Sequence, residues 1–191
     1  MNIKILSILL LLSSCTIYQY KSGGDKRYYQ DIVDPYYTNK DLILKKIKCD
    51  YDKFEQVTWC YSPSFYNTKK YDDEEELFFN KNNLELKFRT IKTKTSIMKQ
   101  LYFVYSSSDW SFFYSAFDEN GNKLSFTEID QNVLHNGRIN EKFGINIDDR
   151  FISKYKDTGV EIKIKGKKQD LIFKIQPAVI EALSEHLKNI K

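Results

Sequence analysis

Three cysteines and two histidines are the side chains best suited to chemistry in this sequence of 191 residues. A thiolate can act as a nucleophile or a metal ligand, and an imidazole can act as a general base or a metal ligand. Cys49 and Cys60 lie close together in the sequence, whereas His135 and His186 lie far from both. This spacing matches no zinc-binding motif. A catalytic Cys–His pair stays open, because its members need to meet only in the fold.

His135 is the other candidate for catalysis, since Asp130 and Glu141 lie on either side of it in the sequence. A hydrolase could use this imidazole as a general base with one carboxylate orienting it. No nucleophile stands at a recognisable spacing from His135, so a surface loop is the preferred interpretation. The acidic run at residues 72–76 lacks the spacing and the turn glycine of an EF-hand loop. We therefore predict no catalytic residue, metal ligand or cofactor, and keep the His135 hydrolase as an alternative.

An apolar stretch opens the sequence, from Ile3 to Leu12, and only Lys4 and Ser7 interrupt it. A helix needs about 20 apolar residues to span a bilayer, so this stretch is too short to do so. The small serines that follow are typical of the cleavage region of a secretory signal peptide. A buried N-terminal helix is the alternative, but the polar, glycine-containing sequence that follows disfavours it.

The tetrapeptide Leu12-Ser13-Ser14-Cys15 resembles a bacterial lipobox. The resemblance implies cleavage before Cys15 and transfer of a diacylglyceryl group to its sulfur. Each buried methylene contributes about 0.8 kcal/mol, and two chains make membrane anchoring stable. The implied location is the bacterial cell envelope. If the cell has two membranes, the outer one is expected, because Thr16 rather than an aspartate follows the cysteine.

The resemblance also organises the rest of the chain. We expect residues 1–14 to be a signal peptide, residues 15–40 to be a lipidated N-terminus and tether, and residues 41–191 to form a single globular domain. Once Cys15 carries lipid, Cys49 and Cys60 remain in an oxidising compartment, where we expect them to form a disulfide.

Charge and composition restrict the partners. Thirty basic and 26 acidic residues give a formal charge of +4, which is too balanced for a nucleic-acid-binding surface. Aromatic residues make up 15% of the chain and suit either strands or a stacking surface for sugar or peptide. The expected partners are membrane lipid through Cys15 and another envelope protein or a glycan.

Alternating apolar and polar residues predict separate strands at intervals between residues 42 and 175, and residues 84–89 show the strictest alternation. Residues 42–49 and 57–61 form a predicted hairpin that would place Cys49 opposite Cys60. Helical patterns appear near 147–156 and after Pro177. We predict an α+β fold, with a curved antiparallel sheet of about six to eight strands and the C-terminal helix packed on one face. A β-sandwich or a partly open barrel is the alternative.

These observations together favour a membrane-anchored lipoprotein whose domain is a non-enzymatic binding or interaction module. Two alternatives remain at this stage: an envelope hydrolase that uses His135, and a surface-exclusion lipoprotein of the kind that phages and plasmids encode.

Overall fold

A computed structural model describes residues 26–29, 38–67 and 83–190, with the backbone alone at 26–29, 66–67 and 83. Its three helices are α1 (Lys40–Lys46), α2 (Asp149–Tyr155) and α3 (Pro177–Asn189). Its strands are β1 (Lys26–Tyr29), β2 (Lys48–Asp52), β3 (Val57–Tyr61), β4 (Phe65–Asn67), β5 (Asn83–Lys92), β6 (Ile97–Ser107), β7 (Phe113–Asp118), β8 (Lys123–Val133), β9 (Ile139–Asn146), β10 (Val160–Gly166) and β11 (Asp170–Ile175).

Nine of the described strands form a continuous antiparallel sheet in the order β11-β10-β7-β8-β9-β6-β5-β3-β2. β1 adds to β11 in parallel at one end, and β4 pairs with part of β5. The end strands β1 and β2 do not pair with each other, so the described sheet is not closed into a barrel.

The sheet curls strongly, and its core lies inside the curl. β6 and β11 are five strand positions apart, which in a flat sheet would separate them by about 24 Å. Nevertheless, the rings of Phe103 on β6 and Phe173 on β11 lie 4.9 Å apart between centroids. Phe113 on β7 and Phe143 on β9 meet in the same way, at 5.2 Å. The two halves of the sheet therefore face each other across one aromatic core.

Helix α3 covers the inner face of β5. Its apolar stripe, predicted from the sequence, is buried at Val179, Ile180, Leu183 and Leu187. His186 on the same helix reaches β5, where its Nε2 lies 3.3 Å from the hydroxyl oxygen of Thr90. Pro177 begins the helix, where its missing N–H costs no hydrogen bond.

The predicted α+β architecture, with its curved antiparallel sheet and packed C-terminal helix, is confirmed. The short helix expected near 147–156 is α2, and the side chain of Asp148 accepts a hydrogen bond from the backbone N–H of Phe151 at 2.8 Å to cap it. The sheet has more strands than the six to eight expected, and the short strands β1 and β4 join it at its margins.

One local prediction was wrong. Residues 40–46 form helix α1 rather than the first strand of the hairpin, since Asn39 caps the helix by accepting from the backbone N–H of Leu42 at 3.1 Å. Ile43 on this helix is fully buried against the core. The lysine-rich strand β10 lies inside the sheet, between β11 and β7.

No helix within residues 38–67 and 83–190 is long and apolar enough to cross a bilayer.

Candidate binding face

Strands β3, β5 and β6 place five aromatic and cationic side chains on the outer side of the sheet. Alternation along each strand sends its apolar residues to the core and its intervening residues outward. Trp59 and Tyr61 on β3 lie opposite Ile91 and Arg89 on β5. The neighbouring pair on β5 and β6 is Lys87 with Tyr102. We call the set formed by Trp59, Tyr61, Lys87, Arg89 and Tyr102 the aromatic face.

Cations and rings alternate across the aromatic face. The guanidinium carbon of Arg89 lies 4.5 Å from the ring centroid of Tyr102 and 5.9 Å from that of Trp59. The Lys87 ammonium lies 5.2 Å from the Tyr102 centroid and 5.8 Å from that of Tyr61. The rings of Trp59 and Tyr61 are nearly parallel, at an angle of 9°. Each of these cation–π contacts stabilises the arrangement by about 0.5–1 kcal/mol at an exposed site.

A row of amide side chains holds Arg89 in place. Its Nε donates to the Oε1 of Gln100 at 2.7 Å, and the Nε2 of Gln100 donates to the Oδ1 of Asn146 at 2.7 Å. Gln100 is only 2% exposed because it lies flat over Gly144 on the next strand. A Cβ on residue 144 would come within 2.2 Å of the Gln100 carboxamide carbon. Glycine at this position therefore makes room for the row.

Burial of the aromatic face changes its proton affinities. Loss of water lowers the pKa of Arg89, because desolvation disfavours the charged guanidinium. Loss of water also raises the pKa of Tyr102, and this effect outweighs the nearby positive charges of Lys142 and Arg89, which lower that pKa. Arg89 still carries its charge at neutral pH, because a guanidinium stays protonated in proteins, and Tyr102 is a neutral phenol there.

The aromatic face continues into the tip of the β2–β3 hairpin. A shallow cleft of about 600 Å³ lies there, lined by Asp50, Tyr51, Asp52, Lys53, Phe54, Trp59 and Tyr61. Phe54 at the tip is 86% exposed. The Oδ1 of Asp52 accepts from the backbone N–H of Phe54 at 2.7 Å and of Glu55 at 3.1 Å, which fixes the turn. The backbone that carries this exposed ring is thereby ordered.

The predicted disulfide joins the two strands of this hairpin. Cys49 and Cys60 form a directly opposed pair on β2 and β3, with an S–S distance of 2.06 Å. The distance of the histidines from the cysteines in the sequence matches no zinc-binding motif, yet the fold brings His186 to the same place. One ring nitrogen of His186 and the two sulfurs lie within 4.8 Å of one another. In the disulfide state the sulfurs carry no thiolate charge, so the group is not a metal-binding set.

His186 shows what sequence spacing could not reveal. Burial lowers the pKa of this imidazole, because the charged form would lose its water. Its neutral ring packs beside Phe88, with 6.3 Å between the ring centroids. The regular helical stripe around residue 186 was the one available signal that this histidine points into the core.

The three residues of the alternative catalytic centre do not come together. His135 is exposed in the turn between β8 and β9, and no hydrogen bond or ion pair of its side chain is found within the described ranges. Asp130 is paired with Lys142 at 2.7 Å on the outer side of the sheet. Glu141 is 1% exposed and accepts from the backbone N–H groups of Ser111 and Phe112, both at 2.7 Å. Glu141 therefore holds a loop in the core rather than orienting a base.

Two sequence features lie outside the described residues. These are Cys15 with its lipobox and the acidic run at residues 72–76. The prediction that Cys15 is lipidated accordingly stays a prediction.

The aromatic face itself was missed by the sequence analysis. Its signals were present as Trp59 with Tyr61 and Lys87 with Arg89, each pair two residues apart on a strand. Their meeting depends on β3 and β6 both pairing with β5, and strand order cannot be read from alternation.

No family model matches the sequence, and no curated protein matches it.

Proposed function

We propose that this chain is a lipid-anchored lipoprotein of the bacterial envelope whose domain is a non-enzymatic binding module. The aromatic face is its contact surface for a protein partner. The observation that carries this proposal is the ordered set of aromatic and cationic groups on the solvent side of the sheet. The anchor would hold this surface close to the membrane.

The chemistry of the aromatic face favours a protein partner. Trp, Tyr and Arg are the side chains that most often dominate the binding energy of protein interfaces. Trp59, Tyr61, Arg89 and Tyr102 are already partly shielded from water and held by neighbours, so little side-chain entropy is lost when a partner covers them. β2 is also an end strand of the described sheet, which lets a partner's backbone approach alongside the face.

The lipid anchor is supported by the N-terminal sequence, where an apolar stretch of suitable length precedes Leu12-Ser13-Ser14-Cys15. Metabolic labelling of the producing bacterium with an alkyne fatty acid tests it. We expect label on the wild-type protein and none on Cys15→Ser. Equal labelling of the two proteins contradicts the anchor.

Photo-cross-linking in intact cells tests the face. A benzoylphenylalanine replaces Tyr61 in one strain and Tyr114, a 56% exposed tyrosine on β7, in a control strain. We expect a discrete adduct from position 61, sensitive to protease, and none from position 114. If glycosidases remove the adduct and proteases leave it intact, the partner is a glycan and the proposal of a protein partner is contradicted. Equal adducts from both positions would contradict the assignment of the face.

A non-enzymatic role has its own test. Purified protein incubated with isolated cell envelopes is expected to release no product over time. Sustained turnover that a single side-chain substitution abolishes would overturn the proposal.

A further inference from the structure

A second concave site lies away from the aromatic face, where the β5–β6 turn meets α2 and α3. It is a groove of about 540 Å³. The turn contributes residues 92–97 and Lys99, α2 contributes Asp149, Ile152 and Ser153, and α3 contributes Ser184, Leu187 and Lys188. We call it the lysine groove.

Positive charge is concentrated in the lysine groove. Among the described residues, four lysines line it, at positions 92, 94, 99 and 188, against the one carboxylate of Asp149. The chain as a whole has a nearly even balance of 30 basic and 26 acidic residues, so this local excess is not a reflection of composition. A cleft lined by one sign of charge concentrates ions of the opposite sign.

Two of the lysines are fixed and two are free to meet a ligand. The Lys92 ammonium donates to the carbonyl oxygen of Ile190 at 2.6 Å, and that of Lys99 pairs with Asp149 at 2.5 Å. Lys94 and Lys188 are exposed, and no hydrogen bond or ion pair of either is found in the described part of the chain. The ammonium groups of these two lysines are thus available to an anion.

Hydroxyl groups and an apolar floor complete the lining. The turn is ordered by Thr93, whose Oγ1 accepts from the backbone N–H of Ser96 at 3.1 Å and lies 2.9 Å from the Ser96 hydroxyl oxygen. Ser153 and Ser184 add hydroxyls from the two helices. Ile152 and Leu187, 5% and 6% exposed, close the bottom.

We propose that the lysine groove binds a phosphate monoester attached to a small organic body. A phosphate monoester carries a charge between −1 and −2 and three acceptor oxygens, which several ammonium and hydroxyl groups can share. A carboxylate carries only one negative charge and would leave most of the excess positive charge of the groove unbalanced. The volume lies in the range of about 300–1,000 Å³ that is usual for small-ligand sites, so an organic body fits beside the phosphate.

Calorimetric titration of the full-length protein in detergent micelles tests the proposal. The probes are glycerol 3-phosphate, with glycerol as its uncharged control, and dihexanoyl phosphatidic acid, with dihexanoyl phosphatidylcholine as its control. We expect saturable binding of at least one phosphate monoester, no binding of either control, and weaker binding as salt is added.

Matched variants locate the binding. Lys94→Gln combined with Lys188→Gln removes the two free ammonium groups, and we expect the Kd to rise at least about tenfold. Lys45→Gln combined with Lys123→Gln removes the same charge at exposed positions outside the groove, and we expect less than about a twofold change.

The two probes distinguish the source of the phosphate. Tighter binding of phosphatidic acid would identify a lipid headgroup, and equal or tighter binding of glycerol 3-phosphate would identify a soluble phosphate ester. Absence of saturable binding of both, or equal loss of affinity in the two double variants, would overturn the proposal. Neither result depends on the lipid anchor or on the aromatic face.

Discussion

Asp118 shows how much one buried side chain can hold together. It is 6% exposed and ends β7, where its two oxygens accept from the backbone N–H groups of Asn120 and Asn122 and from the Tyr155 hydroxyl at 2.6 Å. Burial by itself would raise the pKa of this carboxyl, but hydrogen bonds from Tyr155, Asn122 and Lys154 outweigh it and hold the pKa well below its ordinary value. One carboxylate thus joins the β7–β8 turn to α2.

The depressed pKa of Asp118 makes stability depend on acid. In the unfolded chain this carboxyl titrates near its ordinary value, about 3.9, so as pH falls below about 4 the unfolded state takes up the proton first. The stabilisation from ionised Asp118 is therefore complete above that pH and is lost as pH falls towards the folded-state pKa. We expect Asp118→Asn to lower the free energy of unfolding by roughly 1–3 kcal/mol at pH 7 and to flatten its decline below pH 4.

Urea denaturation between pH 2 and pH 7 measures both effects. Asp157→Asn changes an exposed aspartate and serves as the control, with little expected change. An acid dependence in Asp118→Asn equal to that of the wild type would contradict this account of the carboxylate.

Gly144 offers a second test at a single position. An added methyl group would overlap the Gln100 carboxamide and push it off the row that holds Arg89. We expect Gly144→Ala to lower the free energy of unfolding by about 1–3 kcal/mol, as overpacking commonly does. Combining it with Gln100→Ala removes the overlap, so the double variant should lose less than the two single losses added together. Strictly additive losses would show that residue 144 and Gln100 do not contact each other.

At the scale of elements, turn chemistry was the better guide and alternation the weaker one. The β2–β3 hairpin and its Cys49–Cys60 pairing followed from turn residues and β-rich sequence. Helix α1 was mistaken for a strand, because Leu42 and Leu44 lie two residues apart as on one face of a strand, while Leu44 and Ile47 lie three apart as on one face of a helix. Only the cap at Asn39 distinguishes the two, and a cap is a weak signal in so short a helix.

The disulfide should matter most to the hairpin, since β2 is an end strand whose residues are largely exposed. Closing a loop of roughly twelve residues restricts the unfolded chain by about 3 kcal/mol in the entropic model. We expect Cys49→Ser combined with Cys60→Ser to lower the free energy of unfolding by about that amount. Urea denaturation with and without a reducing agent measures it.

The wild type under reducing conditions is the internal control. It should match the double serine variant, and the variant itself should not respond to the reducing agent. Thiol labelling checks that the bond is fully reduced. If the fully reduced wild type keeps its full stability, a stabilising role for the bond is contradicted.

At the scale of the whole molecule, local patterns predicted the class of fold but not its shape. Strands and turns are encoded by residues that are close together in the sequence, and so are the helical patterns near 147–156 and after Pro177. An antiparallel α+β domain could therefore be predicted. Strand order could not, because β6 is followed in sequence by β7 but pairs with β9. The curl that brings Phe103 to Phe173 depends on such distant contacts, and so do the aromatic face and the lysine groove.

The central claim, that the domain binds an envelope protein through its aromatic face, is tested most directly by an affinity measurement. The protein without residues 1–15 is labelled with a fluorescent dye and titrated onto cells of the producing bacterium. The chromosomal gene for this protein has been deleted from these cells. We predict saturable binding that protease treatment of the cells abolishes. The Kd should rise at least about tenfold in Trp59→Ala, which is the loss typical of a central interface residue. In Tyr114→Ala the Kd should change less than about twofold. Equal affinities of the two variants, or binding that never saturates, would contradict the claim.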